Sequence, residues 1–133
     1  MPTITPEQLA ASGSEDGHQL ALMQWCALHY NEYPELKRLH HSPNGGFRNK
    51  REAGKLKAMG VREGFPDLLL LLPRKNYCGL AIELKRPESV GKKKGIVRQE
   101  QDDWRDYLNN NNYLAVVCYG WQDAVDVLKG YLG

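Results

Sequence analysis

Three side chains near the middle of the chain are of types and at spacings that could do chemistry. Asp67 follows Pro66 and precedes five consecutive leucines, Leu68–Leu72; sixteen residues further on come Glu83 and Lys85 in the run Ile82-Glu83-Leu84-Lys85. Both runs read as strands. Residues i and i+2 of a strand share a face, so Glu83 and Lys85 project together while Ile82 and Leu84 point into a core. If the two strands pair antiparallel, Asp67 and Glu83 are neighbours at one end of a sheet. Two partly desolvated carboxylates held together are costly unless positive charge lies between them. A hard divalent cation answers that need, because Mg²⁺ takes one or two protein carboxylates together with waters and phosphate oxygens. Lys85 could hold a water or a phosphate oxygen beside it. These are the parts of phosphodiester hydrolysis: a metal that acidifies water and acts as a Lewis acid, and a fixed cation where negative charge develops. The alternative is structural, with Asp67 capping a strand entry and Glu83 and Lys85 forming an ion pair. Pro-Asp followed by Glu-x-Lys arises by chance in about one chain in 20 at average residue usage, so it does not decide alone.

The elements that must position these groups can be read along the chain. Thr5-Pro6-Glu7 could open a short helix. Ser14 is an N-cap candidate, with Glu15 and Asp16 in the first turn, for a helix running to about Tyr30. Leu20, Met23, Ala27 and Tyr30 recur on one helical stripe, and Glu15, Gln19, Leu22 and Cys26 on another, so Glu15 may point inward from the end of an apolar line. A strand is expected at 36–42, a turn at Pro43-Asn44-Gly45-Gly46, and a basic helix from Asn49 to Met59 stopped by Gly60. The leucine run, ended by Pro73, reads as a strand buried on both faces and pairs through a hairpin with Gly79–Lys85. Arg86–Gly95 is Lys/Gly-rich and expected to be a mobile loop. A polar amphipathic helix at Arg98–Leu108, a buried strand at Tyr113–Tyr119 and a helix at Gln122–Leu132 complete a mixed α/β layer fold with one central sheet.

The 133 residues suit a single domain spanning 1–133, and 41% hydrophobic with 26% charged residues is ordinary globular usage, which argues against disorder. The longest apolar run, Tyr113–Tyr119, is too short to span a bilayer, and the N-terminus shows no basic and apolar leader. Cys26, Cys78 and Cys118 are scattered and odd in number, as expected of reduced thiols in a cytoplasmic protein and not of a disulfide framework or zinc site. Net charge is only +2, but its distribution is uneven. Lys37 to Arg62 carries eight Lys/Arg against Glu52, leaving +7, and Glu100 onward carries six acids against Arg105 and Lys129, leaving −4. Lys92, Lys93, Lys94 and Arg98 form a second basic cluster. Arg48, Lys50, Arg51, Lys55, Lys57 and Lys92–Lys94 are therefore candidates for binding a phosphate backbone, with a solvated charged face as the alternative. His40 and His41 adjoin that region; His18 and His29 read as ordinary helix residues, and Trp25, Trp104 and Trp121 as packing anchors.

With these residues in view, a resemblance becomes specific. Gly64-Phe65-Pro66-Asp67-Leu68-Leu69 followed by Ile82-Glu83-Leu84-Lys85 resembles the PD-(D/E)XK nuclease superfamily, and more narrowly the stand-alone form of the VRR-NUC (virus-type replication-repair nuclease) family. Glu15 with Gln19 resembles that family's Glu-x-x-x-Gln. Pro43-Asn44-Gly45-Gly46-Phe47-Arg48 resembles its asparagine-glycine turn, Lys57–Gly64 the approach to Pro-Asp, and Gln101-Asp102-Asp103-Trp104 its Gln-x-x-Trp. The resemblance implies a restriction-endonuclease-like αβββαβ core, a central mixed sheet flanked by helices. It implies that Asp67, Glu83, the Leu84 carbonyl and Glu15 surround a metal, Mg²⁺ with Mn²⁺ able to substitute, and that Lys85 is the catalytic lysine. Gln101 would line the site, although Gln99 stands two residues away, about 200° around the helix, and a shifted helix would exchange them. The activity implied is a DNA endonuclease leaving a 5′-phosphate. Stand-alone members resemble homodimeric Holliday-junction-resolving enzymes, and a two-fold dimer can cut two symmetry-related strands. A flap or single-strand-specific nuclease, and a DNA-binding module that does not cut, are the alternatives.

Overall fold

The computed structural model describes residues 4–43 and 49–133. The elements are α1 (Pro6–Leu9), α2 (Glu15–Leu28), a 3-10 turn (Pro34–Arg38), β1 (His40–His41), α3 (Lys50–Ala58), β2 (Leu68–Leu70), β3 (Leu80–Lys85), α4 (Gln99–Asn109), β4 (Leu114–Tyr119) and α5 (Trp121–Leu132). The four strands form one mixed sheet in the order β1-β2-β3-β4. β1 and β3 run antiparallel to β2, and β4 lies parallel to β3. The expected αβββαβ order is thus present, including the hairpin between β2 and β3.

Sheet faces are divided as the alternation predicts. Leu68, Leu70, Leu80, Ile82 and Leu84 join Leu22, Cys26, Leu128 and Tyr131 in the main core beneath α2 and α5. The opposite face is thinner. Ala81 and Ala115 pack with Leu108, Leu69, Trp104 and Tyr113 under α4. Small residues here let α4 approach closely, while Glu83 and Lys85, at alternate positions from Ala81, continue this second face toward the sheet end.

Several expectations are corrected. The 36–42 stretch is a strand only at His40–His41; Pro34 starts a 3-10 turn that buries Leu36, since proline has the φ of a first helical residue. The leucine run is strand for three residues, and Leu71 is 74% exposed, because the chain leaves the sheet before Pro73. On α2 the buried positions are Gly17, His18, Ala21, Leu22, Trp25 and Cys26. Of the other proposed stripe, Leu20 and Ala27 are exposed: the inward line is the one leading from Glu15 through Leu22 and Cys26. β4 is an edge strand, only Ala115 and Cys118 being fully buried, so the uninterrupted apolar run overstated its burial. That edge is guarded. The Asn109 side chain accepts from Ala115 N–H (2.9 Å) and donates to its carbonyl (3.1 Å), and Asp123 accepts from Tyr119 N–H (2.9 Å). Arg86–Gly95 forms a turn with backbone hydrogen bonds of its own. The Asn44–Arg48 part of the turn motif, with the candidate Arg48, lies outside the described residues.

Candidate active site

The register of the hairpin builds the site. Leu68 faces Ile82, so one step further Asp67 stands opposite Glu83. Asp67 Oδ2 accepts the Leu84 backbone N–H at 2.8 Å, which ties the carboxylate to β3 where the strands part. Ser42 N–H donates to the Asp67 carbonyl at 2.7 Å, and His41 Nδ1 lies 3.0 Å from the same oxygen. β1, short as it is, therefore fixes the residue before the leucines. Lys85 Nζ is 3.6 Å from Glu83 Oε1, and both side chains are 8% exposed.

This is an unusual place for charge. Burial pushes the Glu83 carboxyl up to about 8, and the charge and hydrogen bond of Asp67 push the same way, against the pull of Lys85. Glu15 at the start of α2 is also raised, chiefly by burial, with Lys85 drawing it down and Asp67 pushing it up. Three acids thus sense one another around one buried ammonium. If all were ionised the cluster would be over-acidic by two charges, with Arg86 acting on Glu15 from the rim. The donor set is hard oxygen, and the surplus of charge is negative. Those observations fit a hard divalent ion held by Asp67 and Glu83. Glu15 falls short of direct convergence: among the described residues no three Asp, Glu, His or Cys side chains stand close enough to hold a metal together. Asp67 and Glu83 stand together on the hairpin, and Glu15 lies near enough for the charges of Lys85 and Asp67 to act on it.

The far wall comes from α4. Gln101 is buried, and its Nε2 donates to Glu83 Oε1 at 2.7 Å while its Oε1 accepts the Arg98 backbone N–H at 2.9 Å. One amide caps the helix and orients the carboxylate, and the cap fixes which end faces Glu83. Gln99 is exposed and bonds Asp103, so of the two glutamines it is Gln101 that reaches the site. The segment before Asp67 clamps this helix end. Trp104 Nε1 donates to the Glu63 carbonyl (3.1 Å), its ring meets Phe65 edge-on at 5.0 Å, and Gly64 approaches so closely that a Cβ would sit 2.4 Å from the Glu100 carbonyl carbon. Gly64 has φ +79°, which glycine adopts without strain.

Across residues 12–122 the sequence matches the VRR-NUC domain family model. The chain belongs to the VRR-NUC family. A solved structure described as a VRR_NUC domain protein superposes with a TM-score of 0.72 at 30% identity, covering 90% of each chain. A search of the curated proteins finds no match. Membership makes this a nuclease domain whose substrate is DNA, and VRR-NUC nucleases generally depend on divalent metal. No helix among the described residues is long and apolar enough to cross a membrane.

The candidate DNA-binding residues fall in two places. Lys50, Arg51, Lys55 and Lys57 are exposed on α3, a VRR-NUC helix in which no residue is buried, capped by Asn49 accepting from Glu52 N–H at 2.8 Å. Lys92, Lys93 and Lys94 are exposed on the Arg86–Gly95 turn, Lys94 lying over the Tyr119 ring at 3.9 Å. One structural residue escaped the sequence reading. His18, one turn after Glu15, is buried and accepts the Trp121 backbone N–H on Nδ1 at 3.1 Å, tying α2 to the β4–α5 junction. Burial lowers its pKa. Nothing in the spacing marks it beyond its place on the inward line. Cys26 and Cys118 are buried, which pushes both thiols up to about 12, and Cys78 is exposed; all three are free.

Proposed function

We propose that this VRR-NUC domain is a divalent-metal-dependent endonuclease that hydrolyses phosphodiesters in branched DNA, a Holliday junction being the substrate that best fits a two-fold pair of such sites. The supporting observation is the convergence of Asp67 and Glu83 from paired strands with Lys85 buried beside them and Gln101 fixing the carboxylate. A bound Mg²⁺ or Mn²⁺ supplies Lewis acidity, lowering the pKa of water and offsetting charge on the phosphoryl oxygens. Asp67 and Glu83 would hold that ion, with Glu83 as the carboxylate. Lys85, restrained by its strand and by Glu83, presents a preorganised positive charge to a phosphate oxygen. Glu15 orients water at the α2 side. In the hydrolysis, water oxygen bonds phosphorus as the bond to the 3′ oxygen breaks, leaving a 5′-phosphate and a 3′-hydroxyl that takes up a proton. The lysines of α3 and of the Arg86–Gly95 turn dock the backbone without reading sequence.

Lys85→Met, which retains the aliphatic stem, tests this reading together with a panel of four-way, flap, splayed and single-stranded substrates. Cleavage that needs added metal, is greatest on the four-way junction and is lost in the variant while DNA binding persists is the expected result. A preference for flaps or single strands assigns the other nuclease specificity. Binding with no cleavage by the wild type leaves a DNA-binding module only. Sedimentation at micromolar concentration, with and without junction DNA, should show a homodimer; monomer in both conditions refutes the paired cut.

A further inference from the structure

Between β3 and α4 the chain builds a projecting turn. Ser89 and Lys92 exchange both backbone hydrogen bonds (3.1 and 3.0 Å), and Gly95 N–H returns to the Arg86 carbonyl at 3.0 Å. Arg86 Nε donates to the Lys93 carbonyl at 2.8 Å. Outside contacts brace it. The Lys94 ammonium sits over Tyr119, and Gly13 packs so closely that a Cβ there would lie 3.0 Å from Ser89 Oγ. Gly91, with φ +75°, closes the apex. All this order presents one apolar side chain to water: Val90 is 103% exposed. Turn apices are ordinarily Gly, Asn, Asp or Ser, which hydrogen-bond locally or tolerate positive φ; a β-branched valine adds nothing to the turn itself.

Its surroundings specify what it meets. Lys92, Lys93 and Lys94 are exposed after it in sequence against the single acid Glu88 before it, so the turn carries net positive charge and suits a polyanion. The root of the turn lies at the candidate active site, since a Cβ on Gly95 would be 3.2 Å from Lys85 Cβ. A DNA strand lying across Lys85 therefore runs alongside the turn. Apolar side chains flanked by cations unstack base steps by insertion, the lysines holding phosphates while the apolar group displaces a stacking face. We propose that Val90 is a wedge that inserts into a base step at the branch of the bound DNA and so sets where the strand is cut. This rests on the nuclease reading for the position of the scissile phosphate. Val90 is four steps along the chain from Arg86, a reach of at most about 13 Å at ~3.3 Å per residue. At ~3.4 Å per nucleotide along one strand, the unstacked step lies within about four nucleotides of the cut.

The test places 2-aminopurine, singly, at successive positions around the branch of a four-way junction and reads its emission on adding protein in EDTA, where no metal is available for cleavage. Wild type should raise emission at one step within about four nucleotides of the cut later mapped in Mg²⁺. Val90→Leu should preserve the rise and Val90→Ser abolish it, with both variants melting at the wild-type temperature because the side chain touches only water. A wild type that cuts in Mg²⁺ yet raises emission at no position overturns the wedge and leaves the nuclease intact. So does Val90→Ser unstacking the same base as wild type. A Val90-dependent rise from a protein that never cuts supports the wedge and refutes the nuclease reading instead.

Discussion

Replacing Glu83 by Gln should make the metal-free protein more stable, increasingly so as pH rises. Glu83 is pushed up to about 8 from an ordinary 4.5, chiefly by burial and then by Asp67. A carboxyl with a raised folded pKa contributes most below its unfolded value, and that contribution is lost as pH climbs through the folded value. The interval of about 3.5 units, at ~1.36 kcal/mol each, corresponds to about 5 kcal/mol of destabilisation in wild type once pH exceeds 8. Glutamine is neutral throughout. Its oxygen can still accept from Gln101 Nε2, and its amide can donate to Asp67 as the protonated acid does. Measured by urea denaturation in EDTA, Glu83→Gln should match wild type near pH 4, gain about 2 kcal/mol by pH 6, and approach that 5 kcal/mol ceiling at pH 9. Added Mg²⁺ should narrow the gap at pH 9 and reverse the order near pH 6, where the ~2.7 kcal/mol gained from ligand at about 100 times its Kd exceeds it, because only wild type keeps both carboxylates. A variant less stable than wild type at pH 9 without metal, or a gain that does not vary with pH, would refute the picture of a buried acid cluster awaiting a cation.

The surrounding structure gives further expectations. Gln101→Leu leaves the Arg98 N–H and Glu83 without their partner and should cost about 1–3 kcal/mol in chemical denaturation, whereas Gln99→Ala should be close to neutral. Gly64→Ala puts a Cβ into the Glu100 backbone and forces a left-handed φ, so α4 must shift; loss of metal-dependent stabilisation together with altered Trp104 fluorescence would register it, and unchanged values for both would count against the clamp. His18 accepts a hydrogen bond in its neutral form and has a lowered pKa, so its contribution is present above about 6.5 and is lost as pH falls through the folded value; His18→Gln should flatten that part of the stability–pH curve. If α3 docks phosphates, each of Lys50, Arg51, Lys55 and Lys57 that makes a contact should reduce the log–log salt slope of DNA binding by about 0.9 when changed to Ala; an unchanged slope in the quadruple variant would remove α3 from the interface.

What the sequence made legible, and what it hid, follows from the range of the interactions concerned. Alternation along Ile82–Lys85 already separates core from site, because the pleat has a fixed period, and the hairpin puts Asp67 beside Glu83 from chain order alone. The choice of Gln101 over Gln99 depends on where α4 begins, a matter of one or two residues set by the local Arg98 cap and by the Glu63–Phe65 clamp, which is formed across the fold. A strand starting at Leu36 is not what forms, because Pro34 imposes a turn geometry on Pro34–Arg38 and leaves only His40–His41 extended. The leucine run shows the same limit: five identical residues carry no period, so nothing in them marks where β2 ends. His18 was invisible because its partner is a backbone N–H 103 positions away. The bracing of Arg86–Gly95 was hidden for a related reason, since its Lys and Gly content reads as looseness while its restraints come from Tyr119 and Gly13.

The treatment of β4 by Asn109 and Asp123 governs how copies of this chain can meet. Alternate residues of a strand turn their amides to the same side, so with Ala115 and Tyr119 engaged by side chains, only the Val117 amide remains open along the outward row. A neighbouring molecule cannot lay a strand against that border without first prising off both side chains. Continuous stacking of sheets from molecule to molecule is thereby closed off, although the border is built from Val, Ala and Tyr. Copies of this chain are left to meet through helices, loops or the two-residue β1 border at the other side of the sheet, and not along β4.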